Sequence, residues 1–237
     1  MEYSRKCQQS GQPDGGDRLI DFLVLAAMSF GFGFRLRGMN DITSPDSSRT
    51  TIRLHMSMSL DGFIAGPDDQ PGQELGRDGG RLFNWLDDRH GDGPSGQVYG
   101  EVLATGAVIS GRRTFELAGR WNGDHHDGVP IFVLTNHVDP DDVPPGSAQF
   151  VTDVTECAEL ARTAAGDRVV MVHGAGAAQS LLRAGQLDEI DIHLVSVLLG
   201  EGRRLFDALG SQHIELERVR VVEARDVTHL RYRVRHD

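Results

Sequence analysis

One repeated arrangement constrains this chain most: a short apolar run, a glycine-containing turn, then a segment with helical spacing. Ala107-Val108-Ile109 leads through Gly111 into a helix from about Arg112 to Ala118. Val169-Val170-Met171-Val172 leads through Gly174 into a segment whose Ala178, Leu181 and Leu182 share one face. Pro130 to Thr135 is a further apolar run, Phe150-Val151 reads as a short strand, and Thr152 to Thr155 offer caps for a helix reaching about Ala165. Continuous apolar strands of this length are buried on both faces. Alternation with helices pairs them in parallel through crossovers.

The remaining segments complete one α/β domain. Ile52, Leu54, Met56 and Met58 alternate with Arg53, His55 and Ser57, which is strand periodicity. Leu82, Trp85 and Leu86 have helical spacing, and a short helix is expected over Gln97 to Ala104. Gly185 stops the helix after Gly174, with Leu187 placed for the contact that accompanies such a stop. Ile190, Ile192 and Leu194 alternate and Val195, Val197, Leu198 and Leu199 run on, predicting a strand that passes from half-buried to fully buried. Ile214 to Val222 and the alternating Leu230, Tyr232 and Val234 predict a closing antiparallel hairpin. Ile192, Leu194 and Val234 present an apolar face, read as sheet burial with a subunit interface as the alternative. The expected architecture is a three-layer fold over residues 51–237: a mixed, mostly parallel central sheet, flanking helices and a C-terminal antiparallel hairpin. Residues 1–50 are expected to be an extension outside it. Residues 66–80, rich in Gly, Asp and Pro, predict a long exposed loop of the kind that serves as a lid.

Composition excludes several functions. The net charge of -11 argues against a nucleic-acid surface, which needs clustered Lys and Arg. Lys6 is the only lysine, so the domain cannot form a lysine Schiff base. Two cysteines, Cys7 and Cys157, support neither a disulfide framework nor a Cys-rich zinc site. A cytoplasmic protein is expected. The apolar run Leu19–Phe34 contains Asp21 and falls short of the ~20 residues that span a bilayer. No membrane partner is expected, with a weak leader or anchor as the alternative reading of residues 1–50. No His-x-Glu with Pro-Cys-x-x-Cys signature and no Gly-x-Ser-x-Gly elbow occurs. His125-His126, between Asp124 and Asp127, reads as an exposed pair in a Gly/Asp-rich loop, and no metal is expected.

Three segments carry candidate chemistry. In Ser110-Gly111-Arg112-Arg113-Thr114 a strand ends, a helix begins, and two guanidinium groups join the free N–H groups of a helix start. Anion binding is one reading, and a solvated helix start with ordinary surface arginines is the other. His173-Gly174-Ala175-Gly176-Ala177 is a second strand-to-helix turn of small residues, suited to close packing or to a diphosphate. Both turns fall at the carboxyl ends of parallel strands, where ligands of such sheets bind. The third segment, Ser57 to Ala65, contains the turn signal Asp61-Gly62, with Asp61 also able to orient a substrate or sugar hydroxyl.

Taken in order, Ser59-Leu60-Asp61-Gly62, Gly111-Arg112-Arg113-Thr114-Phe115, Leu134-Thr135-Asn136, His173-Gly174-Ala175, Leu187-Asp188-Glu189-Ile190, Leu198-Leu199-Gly200-Glu201-Gly202 and Leu205-Phe206 form a set. It resembles the reductase domain at the C-terminus of the bifunctional riboflavin-biosynthesis deaminase-reductase, within the dihydrofolate-reductase-like superfamily. The resemblance spans residues 51–235. It implies NADPH as cofactor, with Gly111, Arg112, Arg113 and Thr114 at the 2′-phosphate. It places His173, Gly174, Ala175, Gly176 and Ala177 at the pyrophosphate, and Thr135 and Asn136 near the adenosine. Ser59 would lie by the nicotinamide, Asp61 would be the catalytic residue, and Phe63 and Trp85 would bind substrate. A homodimer is implied as well. The implied reaction is reduction of 5-amino-6-(5-phosphoribosylamino)uracil, with a pterin or folate reductase or a non-catalytic NADP-binding protein as alternatives. Two departures stand out: His173 replaces the first glycine of the usual Gly-Gly-Ala turn, and the deaminase half is absent from this sequence. Asp87 and Asp88 lie near the region where pterin reductases carry an acidic residue, without settling that role.

Overall fold

The computed structural model describes residues 49–207, 209–211 and 213–236. Residues 1–48, and with them nearly all of the expected extension, lie outside the described residues. Ten strands are described: β1 (Ile52–Ser59), β2 (Phe63–Ala65), β3 (Ala107–Gly111), β4 (Ile131–Leu134), β5 (Ala148–Val151), β6 (Val170–His173), β7 (Glu189–Val195), β8 (Arg203–Arg204), β9 (Leu216–Ala224) and β10 (Val227–Val234). The helices are α1 (Pro94–Leu103), α2 (Arg112–Leu117), α3 (Val154–Ala165) and α4 (Ala175–Arg183), with 3-10 segments at Gly79–Asp88 and Gly119–Gly123.

Eight strands form one sheet in the order β5-β4-β3-β6-β1-β7-β10-β9. Pairing is parallel from β5 to β7 and antiparallel at β10 and β9. β2 and β8 make a separate two-stranded ribbon. The mixed sheet with a closing hairpin is the architecture expected from the strand–helix alternation.

Helix ends follow local chemistry. The Asp153 carboxylate caps α3 by accepting from the backbone N–H of Thr155 at 2.9 Å and of Glu156 at 2.8 Å, a cap worth ~1 kcal/mol. α4 ends at Gly185, whose φ is 63°; Gln186 N–H donates to the Leu181 carbonyl at 2.8 Å and Gly185 N–H to Leu182 at 3.1 Å. Leu187 is fully buried behind this stop.

The two faces of the sheet differ. On one, Ile52, Leu54, Ile109, Val172, Ile190 and Ile192 pack against α3 and α4 through Cys157, Ala161, Ala178 and Leu181. Cys157 is an inert part of this core, its thiol pushed up to about 12 by burial. The other face meets α1 and the Gly79–Asp88 segment through Leu82, Trp85, Val98 and Val102. That second face also carries the buried polar residues His55, Ser57, His173, Asp191, His193 and His229. The alternation along β1 therefore separates two buried faces rather than core from solvent.

One expectation changes and two become specific. β7 ends at Val195 and does not continue: Ser196 N–H turns to the Asp226 carbonyl, Leu60 N–H donates to the Val197 carbonyl, and Leu198 is 68% exposed. Ile192 and Val234 are buried in the domain core and Leu194 packs against it, so this face is covered within the chain and is not a free interface. The segment 66–78 is the exposed loop the sequence predicts, and it folds back on itself: Gly66 N–H donates to the Leu75 carbonyl and Arg77 N–H to the Pro67 carbonyl, both at 2.8 Å. A Cβ at Gly66 would lie 1.9 Å from the Arg77 carbonyl oxygen, so glycine is what lets this segment fold back on itself.

Candidate active site

β1, β3 and β6 deliver their carboxyl ends to one place, and a cleft of about 770 Å³, counting its open mouth, lies over the polar face there. Its floor is His55 and Ser57 from β1, His173 from β6 and His193 from β7. Phe83, Trp85 and Leu75 form one wall, and Thr114, Leu117 and Trp121 the other. Trp85 is aimed by its indole N–H, which donates to Ser57 Oγ at 2.9 Å, and by the rings of His193 and His229, 4.6 and 5.0 Å away.

Trp121 reaches the cleft on a strained turn. Arg120, Trp121 and Asn122 have φ of 55°, 47° and 49°. Left-handed backbone costs roughly 1–2 kcal/mol at each such residue. Trp121 packs against Phe115 and His125, and its indole nitrogen is buried without a hydrogen-bond partner.

The two strand-to-helix turns touch. Gly174 has φ of 89°, and a Cβ there would lie 2.2 Å from Thr114 Oγ1. Gly111 has an ordinary φ of -75°, and its Cβ would meet Ala177 N at 3.5 Å. Its smallness faces the start of α4 rather than an open ligand path. The first turn of α4 has no side-chain cap, and Gly176 is open to solvent. A second cleft passes this helix start, lined by Gly66 to Asp69, Ala175, Gly176, Gln179 and the 201–204 segment. It meets the first cleft at Asp69 and Arg203.

Both expected phosphate arginines come with carboxylates. Arg112 Nε bonds Glu116 at 2.6 Å, its NH2 bonds Asp142, and its guanidinium lies 4.2 Å over the Phe150 ring. Arg120 bonds the same two carboxylates, at 2.9 and 2.6 Å. Arg112 therefore faces away from the cleft. Arg113 does line it, bonding Asp69 at 3.0 Å, and Arg203 bonds the same carboxylate at 3.1 Å. Burial works against the Asp69 charge, yet hydrogen bonds from Arg113 and Arg203 hold its carboxyl below the usual carboxylate range.

Other expected site residues are placed elsewhere. Asp61 does not line the cleft. Its carboxylate accepts from Ser59 Oγ at 2.5 Å, from Gly200 N–H at 2.7 Å and from Leu199 N–H at 3.2 Å. What little burial Asp61 has works the other way, but these bonds bring its carboxyl down to about 2. It ties the β1–β2 turn to the 196–202 loop. Ser59 is fully buried beneath it, accepting from Phe63 N–H at 2.9 Å. Phe63 lies under the Arg204 guanidinium at 4.4 Å and also misses the cleft. Thr135 and Asn136 sit beyond β4, with Thr135 Oγ1 donating to the His137 carbonyl at 2.9 Å. Of the substrate-side residues, Trp85 alone lines the cleft. Asp87 and Asp88 are exposed on the Gly79–Asp88 segment.

His125 and His126 correct the sequence expectation outright: they are 3% and 1% exposed. Trp121 and His173 cover them, with His125 Nε2 3.1 Å from His173 Nε2 and His125 Nδ1 2.7 Å from His126 Nδ1. Among the described residues no group of three or more His, Cys, Asp or Glu could hold a metal ion. Burial holds His125 and His193 well below the ordinary histidine value and brings His173 down to about 3 and His229 to about 4. Sequence reasoning missed His55, His193, Asp69 and Arg203. The first two were visible only as polar members of alternating strands.

Among solved structures, the chain is similar to a Shewanella sp. PV-4 protein provisionally named for riboflavin biosynthesis, with TM-score 0.58 and 22% identity over 79% of this chain and 99% of that one. It is similar to the Thermotoga maritima diaminohydroxyphosphoribosylaminopyrimidine deaminase/5-amino-6-(5-phosphoribosylamino)uracil reductase, with TM-score 0.54 and 14% identity over 78% of this chain and 57% of that one. A pyrimidine reductase-like protein of Corynebacterium diphtheriae aligns with TM-score 0.53 and 11% identity, covering 79% of this chain and 93% of that one. No curated protein sequence matches. These likenesses show a shared fold, the mixed, mostly parallel sheet with flanking helices. The sequence profile of the RibD C-terminal domain matches residues 50–230, and the chain belongs to that family.

Proposed function

We propose that the protein is an NADPH-dependent reductase of a small, phosphate-bearing heterocycle, of the kind represented by 5-amino-6-(5-phosphoribosylamino)uracil. One observation carries this reading: an aromatic-walled cleft with an imidazole floor meets, at Asp69 and Arg203, a second cleft that passes the uncapped start of α4. The residues fit a dinucleotide. Free N–H groups at Ala175, Gly176 and Ala177 suit a diphosphate, and no atom lies within 4 Å of a Cβ built on Gly176. The cofactor supplies hydride when bound.

The chain's own work is to bind, orient and shield. Trp85, Phe83 and Trp121 offer flat surfaces to a planar ring, and Leu75 and Leu117 exclude water beside it. Arg113 and Arg203 offer two planar forks to a phosphate once Asp69 gives way. A pterin reductase would be favoured by a carboxylate deep in the apolar cleft. Here Asp69 and Glu74 are the lining carboxylates, and Asp69 is held by the two arginines, which favours the phosphorylated substrate.

Fluorescence titration with NADPH, followed by NADPH oxidation against phosphorylated pyrimidines and pterins, tests the reading. Binding with turnover of a phosphorylated pyrimidine is expected. Binding without any turnover would leave a non-catalytic NADP-binding protein, and failure to bind NADPH would end both readings. The homodimer implied by family resemblance is tested by light scattering at several concentrations.

A further inference from the structure

Two guanidinium groups from different elements converge on one carboxylate where the two clefts meet. Arg113, in the first turn of α2, donates from Nε to Asp69 Oδ2 at 3.1 Å, and its Nη2 lies 3.0 Å from Oδ1. The same Nη2 donates to the Asp69 backbone carbonyl at 2.5 Å. Arg203, on β8, donates from Nε to Oδ2 at 3.1 Å and from Nη2 to Oδ1 at 3.4 Å. The Asp69 side chain is 12% exposed, against 51% for Arg113 and 42% for Arg203. The carboxylate is the sheltered partner, held between two cations that keep an open side. Other carboxylates line the clefts, Glu74 in the first and Glu201 and Asp207 in the second, yet both arginines take Asp69.

Asp69 belongs to a flap that is folded on itself. Besides the bonds at Gly66 and Arg77, Gln70 N–H donates to the Gln73 carbonyl at 3.2 Å and Gln73 N–H to the Gln70 carbonyl at 2.8 Å. Arg77 pairs with Asp68 at 2.7 Å. Those bonds hold the flap to itself. Asp69 ties it to α2 and β8, and Leu75 packs beside the aromatic wall. Arg203 lies opposite Ala65 in the β2–β8 ribbon, so this latch closes beside the base of the flap. The tip, Gln70 to Gln73, is exposed.

An anion that arrives at the junction therefore meets a competitor. A tethered group competes at an effective concentration on the order of mM. A free carboxylate brings the same single charge and the same two oxygens, so it has no advantage over Asp69. A phosphate dianion brings a second charge and a third oxygen to the same two forks. Each partly exposed ion pair shifts an equilibrium by no more than about five-fold, so the latch is weak enough to yield.

We propose that Asp69 is a built-in competitor for the anion site. It occupies the Arg113–Arg203 fork, latches the 66–78 flap across the junction of the clefts, and yields to a phosphate ester but not to a carboxylate. This rests on the phosphate-binding half of the proposed function and adds what discriminates between anions. Asp69 sets a charge threshold by filling the site, which makes it a repulsive specificity element. Its release opens the passage between the clefts, so the ligand that opens the passage is the one whose phosphate then occupies it.

Protein with isotope-labelled arginine, titrated with inorganic phosphate or acetate at about pH 8 and constant ionic strength, tests this by NMR. Arg113→Lys and Arg203→Lys assign the two Nε–H signals. Phosphate is expected to move both signals together and to speed hydrogen exchange in residues 66–78. Acetate at the same concentrations is expected to move neither. Asp69→Asn is expected to bind phosphate more tightly, by up to about five-fold, and to respond to acetate. Asp69→Ala serves if the carboxamide keeps hold of the arginines, and the wild-type comparison of the two anions needs no variant. A wild type that answers both anions alike or neither, an equal shift at the remote Arg235, or a phosphate midpoint unmoved in both variants overturns the proposal. So does a phosphate response without faster exchange in the flap. The titration uses neither NADPH nor turnover. Protein that discriminates the anions as expected yet reduces nothing ends the reductase reading and leaves the internal competitor standing.

Discussion

The two faces of the central sheet are built from the same strands, yet they are furnished in opposite ways. Under α3 and α4 the central strands contribute aliphatic side chains, and the face is a packing surface. Under the cleft the same strands contribute four histidines, a serine and an aspartate, and that face is a polar network. Buried polar groups are tolerated only when partnered, and here imidazoles partner one another and Arg231 partners Asp191. One face is the packing surface under the helices, and the other lines the cleft.

Four measurements would break or sharpen that contrast. Leu181→Ala, on the packing face, should cost about 2–5 kcal/mol in chemical denaturation while leaving NADPH affinity per folded molecule unchanged; a binding defect instead would mean the faces are not separable. Arg113→Ala, which removes one of the two guanidinium groups that share Asp69 at the cleft, should weaken a phosphate-bearing ligand by about 1.5–3 kcal/mol for each charge-assisted bond lost. Equal losses for phosphorylated and unphosphorylated ligands would show that Arg113 does not bind the phosphate.

Acid should act on the polar face first. His125, His173, His193 and His229 all have folded values below the ordinary 6.5. The unfolded chain therefore binds more protons below about pH 6.5. Their contribution is complete above that pH and is lost as pH falls toward the folded values of about 4 for His229 and about 3 for His173. Denaturation series at several pH values should show this slope. His125→Gln should flatten it by up to about 1.4 kcal/mol per pH unit; an unchanged slope would mean His125 is not carried neutral in the fold. The smallest effect is expected from Asp69→Asn, which frees Arg113 and Arg203 and should tighten phosphate-bearing ligands by under about 1 kcal/mol, the scale of a part-exposed ion pair. Weaker binding would show that Asp69 organises those arginines rather than competing for them.

The packing face was readable from sequence because its signal is local. Apolar runs at 107–109, 131–134 and 170–172 mark strands wherever they sit, and Gly174 and Gly185 mark the ends of α4. The polar face was not readable, because its contacts join residues far apart: His55 meets His193, Arg231 meets Asp191, and Arg113 meets Asp69 only after the sheet has formed. His125 and His126 misled for the same reason. Their Gly/Asp-rich neighbours looked solvated, and the side chains that cover them, Trp121 and His173, come from another turn and another strand. The run Val195 to Leu199 misled because hydrophobicity cannot register that Leu60 and Asp226 pull the chain out of the sheet. The Gly-Arg-Arg-Thr turn was correctly located, but its composition gave no sign that Asp142 and Asp69 already occupy its arginines.

The contact between Gly174 and Thr114 has a consequence for how such a site can change over generations. The hydroxyl of Thr114 stands where a side chain at 174 would begin, and the backbone at 174 disfavours any other residue. A substitution at 174 is closed unless position 114 shrinks and the turn rearranges as well. The two strand-to-helix turns are coupled at this point: a side chain at 174 requires a matching change at 114.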